Sequence, residues 1–118
     1  MASTPATLEA SHIADIYSCM PDHTMQGRDV EQAYLQADMK GPAVYIMLPK
    51  ELWTPEMHEM RCLVFRLEKA LYGHKHSGVY WQEFSHEKVT KSAGFELISE
   101  CWPCVYFNHV ANLLLIIC

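Results

Sequence analysis

Asp29 opens the segment Asp29-Val30-Glu31-Gln32-Ala33-Tyr34-Leu35-Gln36, which places an acidic side chain at the end of an expected strand and an aromatic five positions on. Such a carboxylate suits a hard divalent cation. Mg²⁺ takes oxygen ligands and binds through a few carboxylates plus substrate phosphates. A pair of such ions can stabilise the attacking and leaving oxygens of an in-line phosphoryl displacement. The same residues also read as a turn and a core contact. A second segment, Arg66-Leu67-Glu68-Lys69-Ala70-Leu71-Tyr72-Gly73-His74-Lys75-His76-Ser77-Gly78 followed by Val79-Tyr80-Trp81, interleaves cations with aromatics and glycines. That mixture allows phosphate contact and stacking on a base; a glycine-containing turn before a helix is the plainer alternative. In the third segment, Glu100-Cys101-Trp102-Pro103-Cys104-Val105-Tyr106-Phe107, a Cys-x-x-Cys pair invites a zinc or redox reading, with His74 and His76 as further ligands. The His-x-His spacing departs from the common finger pattern, and a strand rather than a helix follows the cysteines.

The chain that must position these residues has 118 amino acids, half of them hydrophobic, which is material for one domain with a modest core. Three Trp, six Tyr and four Phe argue against disorder. The formal net charge is -5, so the surface as a whole is not the basic kind that marks nucleic-acid binding. Yet residues 1–60 carry nine acidic and three basic side chains, and residues 61–118 carry five acidic and six basic. The strip Arg61, Arg66, Lys69 and Lys75, opposed only by Glu68, hints at phosphate contact, against the plainer reading of a solvated face. The five cysteines are scattered and no secretory signal opens the chain, so an intracellular, cytoplasmic or nuclear setting is expected. The longest apolar run, Leu113 to Cys118, is far too short to span a bilayer.

Thr4 and Pro5 read as a helix cap and first helical residue, and Ala6, Ala10, Ile13, Ala14 and Tyr17 recur at helical spacing, predicting a helix over 5–19. A strand over Met25 to Val30 and a turn over Gln32 to Gln36 follow. Alternation over Val44 to Leu48 predicts a strand, and Arg61 to Leu67 another. A second helix starts at Ser77 and Gly78 and runs to about Ala93, with Gly94 as its left-handed stop. Phe95 to Ile98, Val105 to Phe107 and Leu113 to Cys118 are short strands, the last two forming a hairpin across Asn108 to Asn112. The order fits an α+β domain. As an unpaired apolar strand, Leu113 to Ile117 is an edge prone to self-association.

Taken in order, these pieces resemble the motifs of the copia-type retrotransposon reverse transcriptases. That family shows an Asp-Val-x-x-Ala-aromatic-Leu segment, matched by Asp29 to Leu35, and a strand ending in Leu-Pro, matched by Ile46 to Pro49. Next come an Arg/Lys-Leu-x-Lys-x-Leu-Tyr-Gly-x-Lys segment, matched by Arg66 to Lys75, a helix with Trp81 and Phe84, and a Pro-Cys-Val-Tyr strand, matched by Pro103 to Tyr106. The correspondence covers nearly everything from about residue 28 onward.

The resemblance implies part of the fingers and palm of a right-hand polymerase, a mainly antiparallel sheet with helices on one face. It implies RNA-directed DNA polymerase chemistry with Mg²⁺, a deoxynucleoside triphosphate and an RNA or DNA template–primer. Asp29 would be the first metal-binding carboxylate, and Val30 would offer its backbone carbonyl to the same ion. Tyr34 would be the aromatic that blocks a ribose 2′-hydroxyl. Leu71, Tyr72, Gly73, Lys75 and His76 would lie at the nascent base pair, with Arg66 and Lys69 on nucleic acid. His76 and Gly78 stand where the family usually has Gln and Pro; exchanging Pro for Gly loosens the entry to the helix. The family also continues from the strand equivalent to Leu113 to Cys118 into Tyr-Val-Asp-Asp, which is absent here. Residues 1–118 are therefore expected to be a partial reverse transcriptase domain, inactive alone. A non-catalytic remnant that binds nucleic acid or protein is the alternative, and a zinc or thiol protein a further one.

Overall fold

The structure, a computed structural model, describes residues 6–61 and 63–117. Helix α1 spans Leu8–Ser18. Thr4 and Pro5 lie outside the described residues, and the hydroxyl that caps α1 belongs to Thr7, which accepts from the Ala10 N–H at 3.2 Å. A single helical turn, α2, covers Ala33–Gln36 behind Gln32, whose φ of 52° is left-handed. Strands β1 (Tyr45–Ile46) and β2 (Phe65–Arg66) form an antiparallel pair. Helix α3 spans Ser77–Glu87 and passes into a wider π turn over Lys88–Ser92. Gly94 then stops it at φ 73°. Strands β3 (Glu96–Leu97), β4 (Val105–Asn108) and β5 (Leu113–Ile116) make an antiparallel sheet in the order β3-β4-β5. The composition is mixed α+β, as the order of elements suggested.

Three expectations change. No strand forms over Met25 to Val30: this stretch has no regular structure, because no other backbone among the described residues pairs with it. The strands expected over Val44 to Leu48 and Arg61 to Leu67 shrink to two residues each, although Leu67 N–H still bonds the Val44 carbonyl at 2.8 Å. Between that pair and a second antiparallel bridge at Asp38 and Lys69 the register slips, and Lys40-Gly41-Pro42 bows out there. Gly41 takes φ 80° and Pro42 has no N–H to give a ladder, so the strand cannot run through. Third, the helices do not share one face of the sheet. Neighbouring residues of a strand point to opposite faces. The Phe107 ring meets Tyr17 of α1 at 6.1 Å, whereas Tyr106 meets His86 of α3, ring to ring at 5.7 Å.

The apolar core is thin. Among the described residues the buried hydrophobic side chains are Ala10, Ala37, Leu63, Ala70, Cys104, Val105 and Tyr106. Leu8, Ile16, Met47, Val110 and ten other large hydrophobics stay exposed, as does Leu113. The accessible surface is 9105 Å², against roughly 6,600 Å² for a compact monomer of this mass. The radius of gyration is 19.1 Å, where about 13–14 Å is usual for this length. No helix among the described residues is long and apolar enough to cross a membrane.

Candidate functional site

Two segments that are distant in sequence meet here. The Tyr34 ring on α2 stacks on Tyr72, with centroids 4.5 Å apart and planes 17° from parallel. Just beyond, Ala70 N–H bonds the Ala37 carbonyl at 2.9 Å and Met39 N–H bonds the Glu68 carbonyl at 2.8 Å. Both alanines are buried to about 1% exposure or less, and their small side chains let the two backbones approach. The Lys69 ammonium pairs with the Asp38 carboxylate across this bridge. That hydrogen bond and charge hold the Asp38 carboxyl below the usual carboxylate range. Both groups are largely exposed, so water screens the pair and it adds little to stability. Its clearer effect is on charge, since it neutralises one cation of the expected basic strip. Arg66, on β2, and Lys75 remain exposed.

Residues 71–77 form a closed loop. The Ser77 hydroxyl donates to the Leu71 carbonyl at 2.7 Å and accepts from the Leu71 N–H at 3.1 Å. His74 N–H bonds the Leu71 carbonyl and Ser77 N–H bonds the His74 carbonyl, each at 3.1 Å. Gly73 turns the chain at φ 95°, a conformation costly for any other residue. His76 precedes α3 and packs with His74 and Tyr80. Partial desolvation, with the Lys75 ammonium and His74 alongside, holds His76 below the ordinary histidine range. Tyr80 donates its hydroxyl to the Lys40 carbonyl at 2.7 Å, and Lys40 pairs with Glu83 at 2.6 Å, so α3 is tied to the segment after α2.

Ser77 is fully buried, and the sequence reading had it only as a helix start. Ser77→Ala would leave the Leu71 N–H without its partner and take one of two donors from the Leu71 carbonyl, which keeps the His74 N–H. A loss of roughly 2–3 kcal/mol is expected, visible as a lower melting temperature; an unchanged melt would mean that the loop is held by other bonds.

Asp29 lies exposed in the irregular stretch and makes no hydrogen bond or ion pair among the described residues. Val30 borders an apolar cleft of about 330 Å³ shared with Trp81, Phe84, Lys88, Leu115 and Ile117. The end of β5 and the segment after Asp29 thus face one space. No three carboxylate, histidine or cysteine side chains converge among the described residues. One carboxylate and one carbonyl, from Asp29 and Val30, do not make up the oxygen set that Mg²⁺ requires, so the donors present do not fit a two-ion site. Cys101 is exposed and Cys104 buried, and they join no such cluster with His74 and His76.

The chain is 35% identical over 89 residues, 75% of its length, to the truncated transposon Ty1-A Gag-Pol polyprotein of Saccharomyces cerevisiae. It has the same identity over the same length to the transposon Ty1-DR5 and Ty1-LR2 Gag-Pol polyproteins of that yeast. This similarity supports a retrotransposon origin. The chain spans 5 to 7% of the length of these curated Ty1 relatives. No protein-family model matches it, and no solved structure does.

Of the residues singled out in the sequence, the structure brings together Tyr34, Leu71, Tyr72, Gly73 and His76, with Lys69 beside them. Asp29 and Arg66 stand apart from that cluster, and neither side chain has a hydrogen-bond or ion-pair partner among the described residues. Three features escaped the sequence reading: the Ser77 closure, the Asp38–Lys69 pair and the Tyr80–Lys40 tie. Each joins residues that no local pattern relates, although the alanines at 37 and 70 were a signal for close backbone contact.

Proposed function

We propose that this chain is part of the RNA-directed DNA polymerase of a copia-type retrotransposon, holding the first acidic motif and one wall of the nucleotide pocket. The observation that carries this reading is the Tyr34–Tyr72 stack. The two aromatics belong to separate motifs of the resemblance, and a nucleotide pocket needs both at one place. The cleft shared by Val30 and Ile117 supports it further. In that family the strand equivalent to β5 leads into Tyr-Val-Asp-Asp, and those carboxylates would emerge near Asp29.

In this reading Tyr34, fixed by its stack, stands where a ribose 2′-hydroxyl would collide. The closed loop of Leu71, Tyr72, Gly73, Lys75 and His76 lies along the incoming deoxynucleotide and its template base. Lys75 offers an exposed cation to phosphate, and Arg66 one to the template–primer. Lys69 is instead a positioning residue, because its charge is spent on Asp38. Asp29 supplies one carboxylate toward Mg²⁺, with Val30 its carbonyl, and the remaining donors lie outside this stretch.

A chimera tests this. The matched stretch of a Ty1 Gag-Pol polyprotein is replaced by the corresponding part of this chain, and RNA-templated DNA synthesis is measured against the unaltered polyprotein. Synthesis within an order of magnitude is expected. A chimera that folds and binds template–primer yet makes no DNA overturns the reading and leaves only a binding remnant.

A further inference from the structure

Helix α3 reaches both walls of the proposed pocket, and it does so through Tyr80. Tyr34, on one wall, stands on α2, a single turn of four residues whose N-cap, Gln32, makes no side-chain bond. A turn this short does not hold itself, because the first turn of a helix fixes several residues for one hydrogen bond. What fixes Tyr34 therefore comes from outside α2. Its ring stacks on Tyr72, α2 packs against α3, and the chain just beyond α2 is tied down over Ala37 to Lys40. Ala37 and Met39 are bonded to the backbone of Ala70 and Glu68. Lys40 is held from α3, where the Tyr80 hydroxyl donates to its carbonyl at 2.7 Å.

The other wall leans on the same side chain. Tyr80's ring lies 6.4 Å from that of His74, with planes 20° apart, and 6.3 Å from that of His76, at 50°. Both separations fall where aromatic rings attract. The Ser77 closure holds the loop to itself at Leu71, and the Tyr80 ring supports it at His74 and His76. Tyr80 N–H bonds the His76 carbonyl at 3.1 Å, so the ring is placed by the first turn of α3. The approach to the Lys40 segment is close. Gly41 takes φ 80°, and a Cβ there would lie 3.4 Å from the Tyr80 hydroxyl. Glu83, farther along α3, pairs with the Lys40 ammonium, but both groups are exposed and water screens that tie. The hydroxyl bond does not depend on charge.

We propose that Tyr80 is a positioning residue of the nucleotide pocket, its ring setting the loop of residues 71–77 and its hydroxyl setting Tyr34 through the Lys40 carbonyl. This role rests on the polymerase reading. It gives two parts of one side chain separate effects. The ring supports the loop that lies along the incoming deoxynucleotide, so it governs how tightly that nucleotide is held. The hydroxyl anchors the segment that follows Tyr34, so it governs how firmly the Tyr34 ring excludes a ribose 2′-hydroxyl. A clash discriminates only while the group that clashes cannot move aside.

Steady-state kinetics of the Ty1 chimera, with deoxy- and ribonucleoside triphosphates on one RNA template–primer, test this. Tyr80→Phe keeps the ring and loses the hydroxyl. Its use of ribonucleotides relative to deoxynucleotides should rise about threefold to tenfold, the worth of one hydrogen bond, with KM and kcat for the deoxynucleotide unchanged. Tyr80→Ala loses both parts, and its deoxynucleotide KM should also rise about tenfold. A purely structural role would lower the melting temperature and slow both substrates alike, leaving their ratio where it was. That outcome overturns the proposal, and so does a Tyr80→Phe chimera that behaves as the unaltered one. Should Tyr80→Ala fail to fold by circular dichroism, Tyr80→Phe decides alone. An unaltered chimera that makes no DNA is a separate failure: it removes the polymerase reading, and this role with it.

Discussion

Asp29→Asn in the Ty1 chimera is expected to reduce RNA-templated DNA synthesis by about a thousandfold or more while leaving the fold unchanged. The size follows from the role proposed for the side chain. A carboxylate that helps hold a catalytic cation contributes several kcal/mol to stabilising transition-state charge, and each 1.4 kcal/mol is a factor of ten in rate. The lack of any structural penalty follows from the geometry. Asp29 is exposed in the irregular stretch before α2 and takes part in no hydrogen bond or ion pair among the described residues. Its amide therefore costs the fold nothing. Melting temperature and template–primer affinity should stay within error, which separates a chemical loss from a structural one. Synthesis retained within a few-fold would remove Asp29 from the site.

The second large effect concerns which nucleotide is accepted. Tyr34→Ala in the same chimera should raise the use of ribonucleoside triphosphates relative to deoxynucleoside triphosphates on the order of a hundredfold. A clash built against the wrong substrate is what supplies such selectivity. The clash requires a ring that does not move aside, and Tyr34 is held by its near-parallel stack on Tyr72 at 4.5 Å. Tyr34→Phe keeps the ring and the stack, so it should keep the selectivity. Were Tyr34→Ala to lower both rates equally, the ring would serve packing and not discrimination.

The elements that carry their own local signals were legible in the sequence. Helical spacing marked α1 to within three residues at its start, and Gly94 marked the stop of the second helical segment at φ 73°. Short apolar runs on either side of Asn108 to Asn112 marked the β4–β5 hairpin, whose register pairs Val105 with Ile116 and Asn108 with Leu113. What failed depended on partners. Met25 to Val30 was expected as a strand, but a strand exists only where another backbone pairs with it, and none among the described residues does. The helices were expected on one face, yet Phe107 and Tyr106 send one contact to each side, a consequence of alternation that only the fold reveals.

For the site, residue types were readable and their meeting was not. Tyr34 and Tyr72 stood out as aromatics in separate motifs, but nothing local predicts a stack across 38 positions. Lys69 looked like a cation for phosphate, and nothing local showed that Asp38, in another segment, pairs with it. Ser77 looked like the start of a helix, and its hydroxyl turned out to close the loop on Leu71.

Photocrosslinking would test the nucleotide pocket most directly. A deoxynucleoside triphosphate with a photoreactive base is bound to the chimera on template–primer, irradiated, and the labelled peptides are sequenced. Label on Tyr34 and within residues 71–76, present only when the template base matches, is the expected result. Label confined to other segments, or independent of the template, would contradict the assignment of this stretch to the nucleotide site.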